Sequence, residues 1–379
     1  MNKQNWALKR FDSFAFNITE RVEPGNTTLD KYIGLEHLDS SKIKIERCGK
    51  PDEVIGTKLR VYKGDIIFGK RRAYQRKAAT VEFDAICSAH SMVLRPNETL
   101  ILKSLFPFFL HTDLFMKRAV EISEGSLSPT IKWKTLARQE FLLPPLSEQV
   151  QIAELFQSIE TAIKQAEQQE ENLNALQKSL SNGLATKEPV FGNLLDKNNC
   201  KPINFGGIAD CIERHDKQKK DVSRFIGLEH IEPDNLKIAI WGNIEDGTTF
   251  TKRFSKGDVL FGKRRAYLRK VAVADFDGIC SSDILVFRAK DKVVLPALLP
   301  FYVSSEPFIQ HAISTSAGSL SPRTKWRDLS SFEISIPDLK TQQEIVSVLD
   351  SIIDMIEQIK TQIQTLRNLK QKLLNEILG

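Results

Sequence analysis

The chain repeats itself at an interval of 193 residues, from about residue 9 to residue 186, with no net insertion or deletion. The tetrapeptide Gly-Leu-Glu-His at 34–37 returns at 227–230. Between 64–80 and 257–273, twelve of seventeen positions are identical. Solenoid repeats span roughly 20–50 residues, so this much longer unit is large enough to be a domain. The repeat therefore predicts two similar domains that form a pseudo-twofold molecule.

The composition is typical of a globular protein. Of 379 residues, 41% are hydrophobic and 27% are charged. We find no apolar run of about eighteen residues, which a membrane span would need, and no apolar stretch of a signal peptide at the N-terminus. Five scattered cysteines without a CxxC pair predict reduced thiols in a cytoplasmic protein. Cys87 and Cys280 occupy equivalent positions in apolar surroundings, where core packing is expected.

Each copy begins with a β-rich part. Short β-branched and aromatic runs predict strands at 31–35, 59–68, 78–82 and 91–95, with Gly64-Asp65 as a turn between two of them. A helical stretch is expected at 104–121, which contains an apolar run from Leu105 to Leu110 interrupted by Pro107, and a last strand-like run at 136–143. The second copy repeats this pattern at 252–261, 271–275, 284–288, 297–313 and 332–336.

Each copy ends in a long helix. Residues 147–185 contain no proline, and their apolar positions recur in alternating steps of four and three. This heptad pattern predicts a coiled-coil seam between the two helices. Charged or amide residues occupy polar slots at Glu170, Gln177 and Lys370. The predicted seam consists of Ile152, Phe156, Ile159, Ile163, Leu173, Leu180, Ile345, Leu349, Ile352, Ile356, Ile359, Ile363, Leu366 and Leu373.

The predicted fold class is α+β, with two tandem-repeated mixed α/β domains separated by two long antiparallel helices. Antiparallel pairing is an inference from the symmetry of the repeat, because the heptads alone do not decide direction. A segment of turn formers, which includes Pro189, Gly192 and Asn198-Asn199, is interpreted as a linker. The predicted boundaries are 1–146 for the first domain, 147–185 for its helix, 186–202 for the linker, 203–339 for the second domain and 340–379 for its helix.

A basic cluster recurs in both copies and carries the clearest functional signal. It places five cations and one tyrosine within nine residues, at 69–77 and again at 262–270. Lys and Arg neutralise phosphates, and Arg and Gln also bind base edges, which favours DNA contact. The alternative is a solvated basic face, or cations paired with Asp65, Asp84, Asp258 and Asp277. The candidate residues are Lys70, Arg71, Arg72, Tyr74, Gln75, Arg76, Lys77, Lys263, Arg264, Arg265, Tyr267, Arg269 and Lys270.

A second repeated motif is Gly-Ser-Leu-Ser-Pro, at 125–129 and 318–322. Its backbone N–H groups and hydroxyls suit phosphate oxygens. A structural turn in which the hydroxyls cap the local backbone is an equally good interpretation. Trp133 and Trp326, just beyond the motif, are expected to be core anchors. The candidate DNA-binding residues here are Ser126, Ser128, Lys132, Ser319, Ser321, Arg323 and Lys325.

No motif of a catalytic or cofactor-binding site stands out. The sequence has no GxxxxGK[ST] phosphate loop, no dinucleotide-binding GxGxxG and no Asn/Asp-Pro-Pro-aromatic motif of adenine methyltransferases. His37 and His230 form the one equivalent histidine pair, and no nearby Cys or Asp set supports a metal or general-base role. We therefore expect a chain without catalytic residues, metal or bound cofactor.

Several motifs in the same order resemble those of the DNA specificity subunits of type I restriction–modification enzymes. They are Gly-Leu-Glu-His, the basic cluster after Gly-Asp-Ile-Ile-Phe, Asp-Gly-Ile-Cys-Ser-Ser at 277–282, Gly-Ser-Leu-Ser-Pro, and Leu-Pro-Pro-Leu-Ser-Glu-Gln at the start of a long helix. Each is weak alone, but together and in duplicate they cover both copies.

The resemblance implies two target-recognition domains, each binding one half of a bipartite double-stranded DNA site. It also implies that the paired helices set the spacing and dock two adenine-methyltransferase subunits, which bind S-adenosylmethionine. Restriction subunits join that core in the family. Because the two copies are so similar, we expect similar half-sites in inverted order. The half-sites should differ where the copies diverge: 20–31 against 213–224, 40–58 against 233–251, His90 against Asp283, and Thr130 against Arg323.

Two other functions are compatible with part of the sequence. An interaction scaffold with paired domains on a coiled coil, without nucleic acid, explains the heptads but not the repeated basic cluster. A free-standing modification or nuclease enzyme is opposed by the missing motifs. The sequence favours DNA recognition over both.

Overall fold

The structure is a computed structural model that describes residues 3–195 and 199–379. Among these residues the chain forms two compact units. The first unit extends to Glu167 and resumes at Thr361, and the second unit consists of Gln168–Lys360. Each long helix therefore contributes one part to each unit. None of the helices in the described ranges is long and apolar enough to cross a membrane.

Three sets of paired strands form the β-structure of the first unit. One sheet has the order β3-β5-β8-β4, the other β2-β9-β6-β7, and β1 pairs with β10. All pairs are antiparallel except β4 with β8. The strands are β1 (Ala7–Arg10), β2 (Ala15–Ile18), β3 (Arg21–Val22), β4 (Tyr32–Ile33), β5 (Lys58–Val61), β6 (Ile66–Gly69), β7 (Ala78–Thr80), β8 (Ala85–Cys87), β9 (Ser91–Pro96) and β10 (Glu140–Leu143).

The second unit repeats this arrangement with one change at the edges of a sheet. Its sheets have the orders β14-β13-β18-β15 and β12-β19-β16-β17, and β11 pairs with β20. The equivalents of β4, β8 and β5 stay adjacent. The change is that each edge pairing is a strand pair in one unit and an isolated bridge in the other: β13 pairs with β14 where the first unit has the Tyr32–Gly49 bridge, and His215 bridges Lys252 where the first unit pairs β3 with β5. The strands are β11 (Cys200–Asn204), β12 (Ala209–Cys211), β13 (Arg224–Ile226), β14 (Gly242–Asn243), β15 (Lys252–Phe254), β16 (Val259–Gly262), β17 (Val271–Val273), β18 (Gly278–Cys280), β19 (Ile284–Ala289) and β20 (Glu333–Pro337).

The turn predicted at Gly64-Asp65 connects β5 to β6, but these strands do not pair with each other. β5 lies in one sheet and β6 in the other, so the turn carries the chain between sheets. Gly64 has a φ of 93°, which favours glycine. Asp65 is buried, accepts a hydrogen bond from the Tyr62 N–H and pairs with Arg95 at 2.7 Å.

The helical segment predicted at 104–121 is two helices, α2 and α3, and Pro107 does not interrupt α2. Proline is tolerated in a first helical turn, because its missing N–H would have no partner there, and Pro107 lies in the first turn of α2. The break comes at Thr112, whose hydroxyl accepts a hydrogen bond from the Phe115 N–H and caps α3. The short helices of this unit are α1 (Phe11–Phe14), α2 (Phe106–Leu110), α3 (Asp113–Glu121) and α4 (Trp133–Ala137).

The run at 136–143 is also not one strand. Leu136 and Ala137 end α4, and β10 begins at Glu140. α5 (Leu146–Leu184) follows β10 and is the first long helix. The second unit contains α6 (Phe205–Ile208), α7 (Leu299–Ser304), α8 (Glu306–Ser314), α9 (Trp326–Leu329) and the second long helix, α10 (Leu339–Leu378).

The long helices pack antiparallel within the first unit. Glu160 pairs with Lys370 and Glu167 with Arg367, both at 2.6 Å, so the pairs run in opposite directions along α5 and α10. An apolar cluster that contains Ile152, Phe156 and Leu374 also includes Leu105 and Phe108. The seam thus packs against the β-rich part as well as the partner helix. In the second unit, Leu180 and Leu184 share a cluster with Ile345 and Leu349.

The predicted seam residues are covered to different degrees. Most of the buried members lie in the N-terminal half of each long helix. Leu173, Leu180, Ile359, Leu366 and Leu373 are half-buried, whereas the buried members are Ile152, Phe156, Ile159, Ile163, Ile345, Leu349, Ile352, Ile356 and Ile363.

The described part of the predicted linker packs against the second unit. Phe191 is 3% exposed and belongs to that unit's core, and Cys200–Asn204 pairs with β20. Asn198, named above as a turn former, lies outside the described residues.

Candidate functional site

The basic cluster of the first unit lies on the loop from β6 to β7. Gly69 N–H donates to the Lys77 carbonyl at 2.8 Å and closes the loop at its base. Inside it, Arg72 and Arg76 have positive φ values of 57° and 54° on either side of a short 3-10 turn. Left-handed backbone is uncommon for residues other than glycine. The second unit has the same conformation at Arg265 and Arg269, with φ values of 53°.

The Gly-Ser-Leu-Ser-Pro loop lies directly against the basic cluster. The backbones of Arg71 and Thr130 form an isolated antiparallel β-bridge, and the Arg72 N–H donates to the Pro129 carbonyl at 2.8 Å. The Ser128 hydroxyl accepts hydrogen bonds from both arginine side chains at 3.3 Å. The structure therefore brings the two sequence motifs together into one surface. We call this surface, formed by 69–77 with 124–132 or by 262–270 with 317–325, the basic loop pair.

Part of each basic loop pair faces solvent. In the first unit Arg72 and Ser126 are exposed, and Tyr74 is 55% exposed. Lys132 is also exposed and pairs with Glu124 at 2.6 Å. The exposed members in the second unit include Arg265, Tyr267, Ser319, Arg323 and Lys325.

Each serine loop carries a leucine that is missing from the predicted site residues. Leu127 is 92% exposed and Leu320 is 89% exposed, and each lies between two serines that are predicted site residues. The recurrence of this leucine in both copies is the sequence signal that could have identified it. An apolar side chain presented from a basic surface suits contact with a thymine methyl group or with an opened base step.

Other cations of the cluster contact protein groups. Arg76 pairs with Asp113 at 2.7 Å and donates to the His111 carbonyl. Lys77 Nζ donates to the Leu35 carbonyl at 2.7 Å, which ties the loop to the Gly-Leu-Glu-His turn. In the second unit, Arg269 contacts Asp234, Glu306 and the Ser304 carbonyl, and Lys270 contacts the Leu228 carbonyl.

The acids considered as partners of the cluster contact other groups. Asp84 pairs with Arg60, and Asp258 with Arg288. Asp65 pairs with Arg95, as described above, and Asp277 accepts a hydrogen bond from the Lys256 N–H. The partners seen for Arg76 and Arg269 are instead acids of α3, α8 and a loop.

Half-buried members of the cluster lie closer to the core. Burial lowers the pKa of Lys70. Burial also raises the pKa of the nearby Cys87 thiol to about 12, as it does for its equivalent Cys280. Both thiols therefore stay protonated at neutral pH and act as core groups. Lys263 and Gln75 are likewise half-buried, whereas Leu268, at the position of Gln75, is 37% exposed.

The repeated histidines and tryptophans have structural contacts. His37 Nδ1 accepts a hydrogen bond from the Gly34 N–H at 3.0 Å, and His230 does the same with Gly227. Trp133 packs edge-on against Phe11, and its equivalent Trp326 packs against the rings at the centre of the second core. No group of three or more His, Cys, Asp or Glu that could hold a metal ion occurs in the described ranges.

A family model of the type I restriction modification DNA specificity domain matches residues 32–175 and 204–368 of this chain. The two matches cover both copies of the repeat, including both basic loop pairs.

Curated relatives from bacteria and archaea are similar over most of the chain. The EcoDI specificity subunit of a type I restriction enzyme from Escherichia coli is 27% identical over 73% of this chain and 70% of its own length. The putative MjaX specificity subunit from Methanocaldococcus jannaschii is 25% identical over 91% of this chain and 85% of its own length.

Solved structures share the fold. A chain from a structural study of complex assembly and conformational transition of the type I R-M system aligns over 98% of this chain and 97% of its own, with a TM-score of 0.62 and 19% identity. The S subunit of a type I restriction–modification system from M. genitalium aligns over 100% and 98%, with a TM-score of 0.54 and 12% identity.

Proposed function

This chain belongs to the type I restriction–modification DNA specificity family, whose function is sequence-specific DNA recognition, and we propose that each of its two units binds one half of a bipartite DNA target. The observation that carries this proposal is the basic loop pair, present once in each unit with the same backbone conformation and one matching arginine–serine hydrogen bond. Two matching readers on one chain suit a target with two matching halves.

The exposed members of each basic loop pair are assigned to the DNA. In this assignment Arg72 and Arg265 neutralise phosphates, and the hydroxyls of Ser126 and Ser319 donate to phosphate oxygens; all four residues are exposed. Tyr74 and Tyr267, two residues after these arginines, are also exposed. The more buried cations, Arg76 and Arg269 among them, position the loop from behind.

We infer that this chain leaves methylation and cleavage to partner subunits. Its sequence lacks the adenine-methyltransferase motif and the phosphate loop, so S-adenosylmethionine is assigned to the methyltransferase subunits. The paired long helices are proposed to set the spacing between half-sites and to dock these subunits.

Exposed apolar side chains on the long helices support docking. In the first unit, Leu155 of α5 is 40% exposed and Leu369 of α10 is 44% exposed. In the second unit, their equivalents Val348 and Leu176 are 39% and 46% exposed. We call each pair a docking patch. Since exposed apolar groups on a helix suit contact with a partner helix, one patch per unit supports two methyltransferase subunits.

Selection from randomised duplex DNA by the assembled methyltransferase complex tests the function. We expect two conserved blocks at a fixed spacing, similar in sequence and inverted. Two blocks of unrelated sequence would refute the similarity of the half-sites, and the absence of any conserved block would refute recognition by this chain.

A further inference from the structure

The two basic loop pairs share one backbone frame. A backbone β-bridge joins Arg71 to Thr130 in the first unit, and an equivalent β-bridge joins Arg264 to Arg323 in the second. The arginine side chain in each frame donates to a serine hydroxyl, Ser128 at 3.3 Å or Ser321 at 3.0 Å. Arg71 and Arg264 therefore have the same backbone pairing and the same serine contact. We infer that a difference in recognition between the two units comes from the residues next to these arginines.

The two units differ at two positions that contact this arginine, His90 and Thr130 in the first unit and Asp283 and Arg323 in the second. In the first unit, Arg71 Nη1 lies 3.5 Å from Nε2 of His90, and Thr130 carries no charge. In the second unit, the equivalent of His90 is Asp283. Its carboxylate accepts from Arg323 Nε at 2.8 Å and lies 3.6 Å from Arg264 Nη1. A carboxylate and a second guanidinium thus replace an imidazole and a hydroxyl.

These replacements leave the local charge unchanged. Burial, and then the nearby Arg71, hold the pKa of His90 below its ordinary value, so the ring is neutral at pH 7. The first set therefore carries one positive charge, from Arg71. The second carries two positive charges, from Arg264 and Arg323, and one negative charge, because Arg323 holds the pKa of Asp283 below its ordinary value. Attraction to phosphate should be equal, and the difference lies in the groups offered to bases.

We propose that positions 90 and 130, with their equivalents 283 and 323, determine how the two half-sites differ. The inference rests on the proposed function. Arg71 and Arg264 make the common contact of both half-sites. Asp283 holds Arg323, whose side chain is 47% exposed, with its guanidinium directed by two contacts. A fixed guanidinium fork binds guanine O6 and N7, which a threonine hydroxyl cannot match. The second half-site therefore contains a guanine at one position where the first does not.

An exchange of these positions in the full chain tests the proposal. In the assembled methyltransferase complex, His90→Asp with Thr130→Arg gives the first unit the second unit's set and keeps the net charge. We expect the first half-site to gain the guanine, with a change in preference of about tenfold or more. The reciprocal exchange, Asp283→His with Arg323→Thr, should remove the guanine from the second half-site. Affinity for nonspecific duplex should not change in either variant.

A matched control inverts an ion pair away from the loops. Lys187 and Glu333 form an ion pair with side chains 73% and 57% exposed, so Lys187→Glu with Glu333→Lys also keeps the net charge. This variant should retain both half-site preferences. If an exchange variant does not fold, Asp283→Asn keeps the side-chain shape and should still weaken the guanine preference of the second half-site alone.

The outcomes separate the inference from the function. A wild-type complex without sequence preference would refute the proposed function. Wild-type half-sites that are identical at every position would refute the inference alone. So would a clear wild-type preference that neither the exchange variants nor Asp283→Asn alter.

Discussion

Glu160 of α5 accepts a hydrogen bond from Lys370 of α10, with 2.6 Å between Oε1 and Nζ. The pair is largely covered, with 22% of the glutamate and 11% of the lysine side chain exposed. The equivalent positions in the repeat are Ile353 and Gln177, which are uncharged. Two copies that match closely elsewhere thus use different chemistry at the same point of the helix pair.

Glu160→Ile should destabilise the first unit, because it leaves the Lys370 ammonium buried without its partner. We expect a loss of about 3 kcal/mol in the free energy of unfolding. Glu160→Ile combined with Lys370→Gln copies the residues of the second unit and should recover most of the lost free energy of unfolding. Chemical denaturation, with hydrogen exchange to separate the two units, provides the measurement. An equal loss in the single and double variants would show that the ion pair is not the cause.

Gln149 should be one of the most sensitive polar residues of the first unit. Its buried amide donates to the carbonyls of Leu100 and Pro144 and accepts from the Leu102 N–H. Gln149→Leu leaves these three backbone groups unpaired, so we expect a loss of about 3 kcal/mol in the free energy of unfolding.

The second unit offers a replicate of this test, since Gln342 makes the same three contacts. Gln342→Leu should cost the second unit as much. Gln151→Leu, two positions along α5 at an exposed site, is the control and should change the free energy of unfolding by less than about 0.5 kcal/mol. Equal effects at positions 149 and 151 would contradict the assignment.

His111 should make the first unit sensitive to acid. The ring is fully buried, and its Nε2 donates to the Ala78 carbonyl at 2.7 Å. Burial, together with the charges of Lys370 and Arg76, lowers the pKa of His111 from 6.5 to about 4, although the hydrogen bond to the Ala78 carbonyl acts in the opposite direction. A folded pKa below the unfolded one means that the stabilisation is complete above pH 6.5 and is lost as the pH falls through about 4. At low pH the free energy of unfolding of the first unit should fall by about 3 kcal/mol from this histidine.

His111→Ser isolates this effect, because serine occupies the equivalent position, Ser304, in the second unit. We expect unfolding of the variant to depend less steeply on pH between 6.5 and 4 than unfolding of the wild type. Hydrogen exchange of the first unit at several pH values measures it, and the second unit is the internal reference. Identical pH slopes in variant and wild type would count against a buried neutral histidine.

The sequence predicts the repeated units, the long helices and about half of the strands, because each pattern occurs twice in the chain. It does not predict that β5 and β6 lie in different sheets. Alternation of apolar residues shows that two strands flank Gly64-Asp65, but partner choice depends on residues far along the chain, such as those of β8 and β9.

Within the candidate site, composition identifies the basic cluster, and only the structure sorts its members. Arg72 and Arg76 are four residues apart and chemically the same, yet one is exposed and the other contacts Asp113 and His111. The partners of Arg76 lie on a distant segment that no local pattern connects to the loop. The sequence indicates that the two copies differ at His90 and Thr130, but it does not predict that both residues contact Arg71.

Arg265 and Arg269 allow a direct test of this division. Arg265 is exposed and assigned to phosphate, so Arg265→Ala should weaken duplex binding by the assembled complex and reduce the slope of log affinity against log salt by about one. Arg269 is 16% exposed and contacts two acids, so Arg269→Ala should mainly lower the free energy of unfolding of the second unit, by about 2 kcal/mol.

The two measurements should separate the two neighbours. Arg265→Ala should leave the free energy of unfolding unchanged within about 0.5 kcal/mol, and Arg269→Ala should leave the salt slope unchanged once the protein is folded. A reduced salt slope for Arg269→Ala, with unchanged stability, would place that residue on the DNA instead.

The docking patches make a prediction about stoichiometry. Leu155→Ser with Leu369→Ser removes the patch of the first unit, and Val348→Ser with Leu176→Ser removes that of the second. Since all four side chains are at least 39% exposed, each pair of changes should have little effect on folding. We expect each double variant to bind one methyltransferase subunit in native mass spectrometry, and the quadruple variant none. Gln169→Ser with Gln362→Ser, at exposed equivalent positions on the same helices, is the control and should bind two. Two subunits bound to the quadruple variant would show that docking uses another surface.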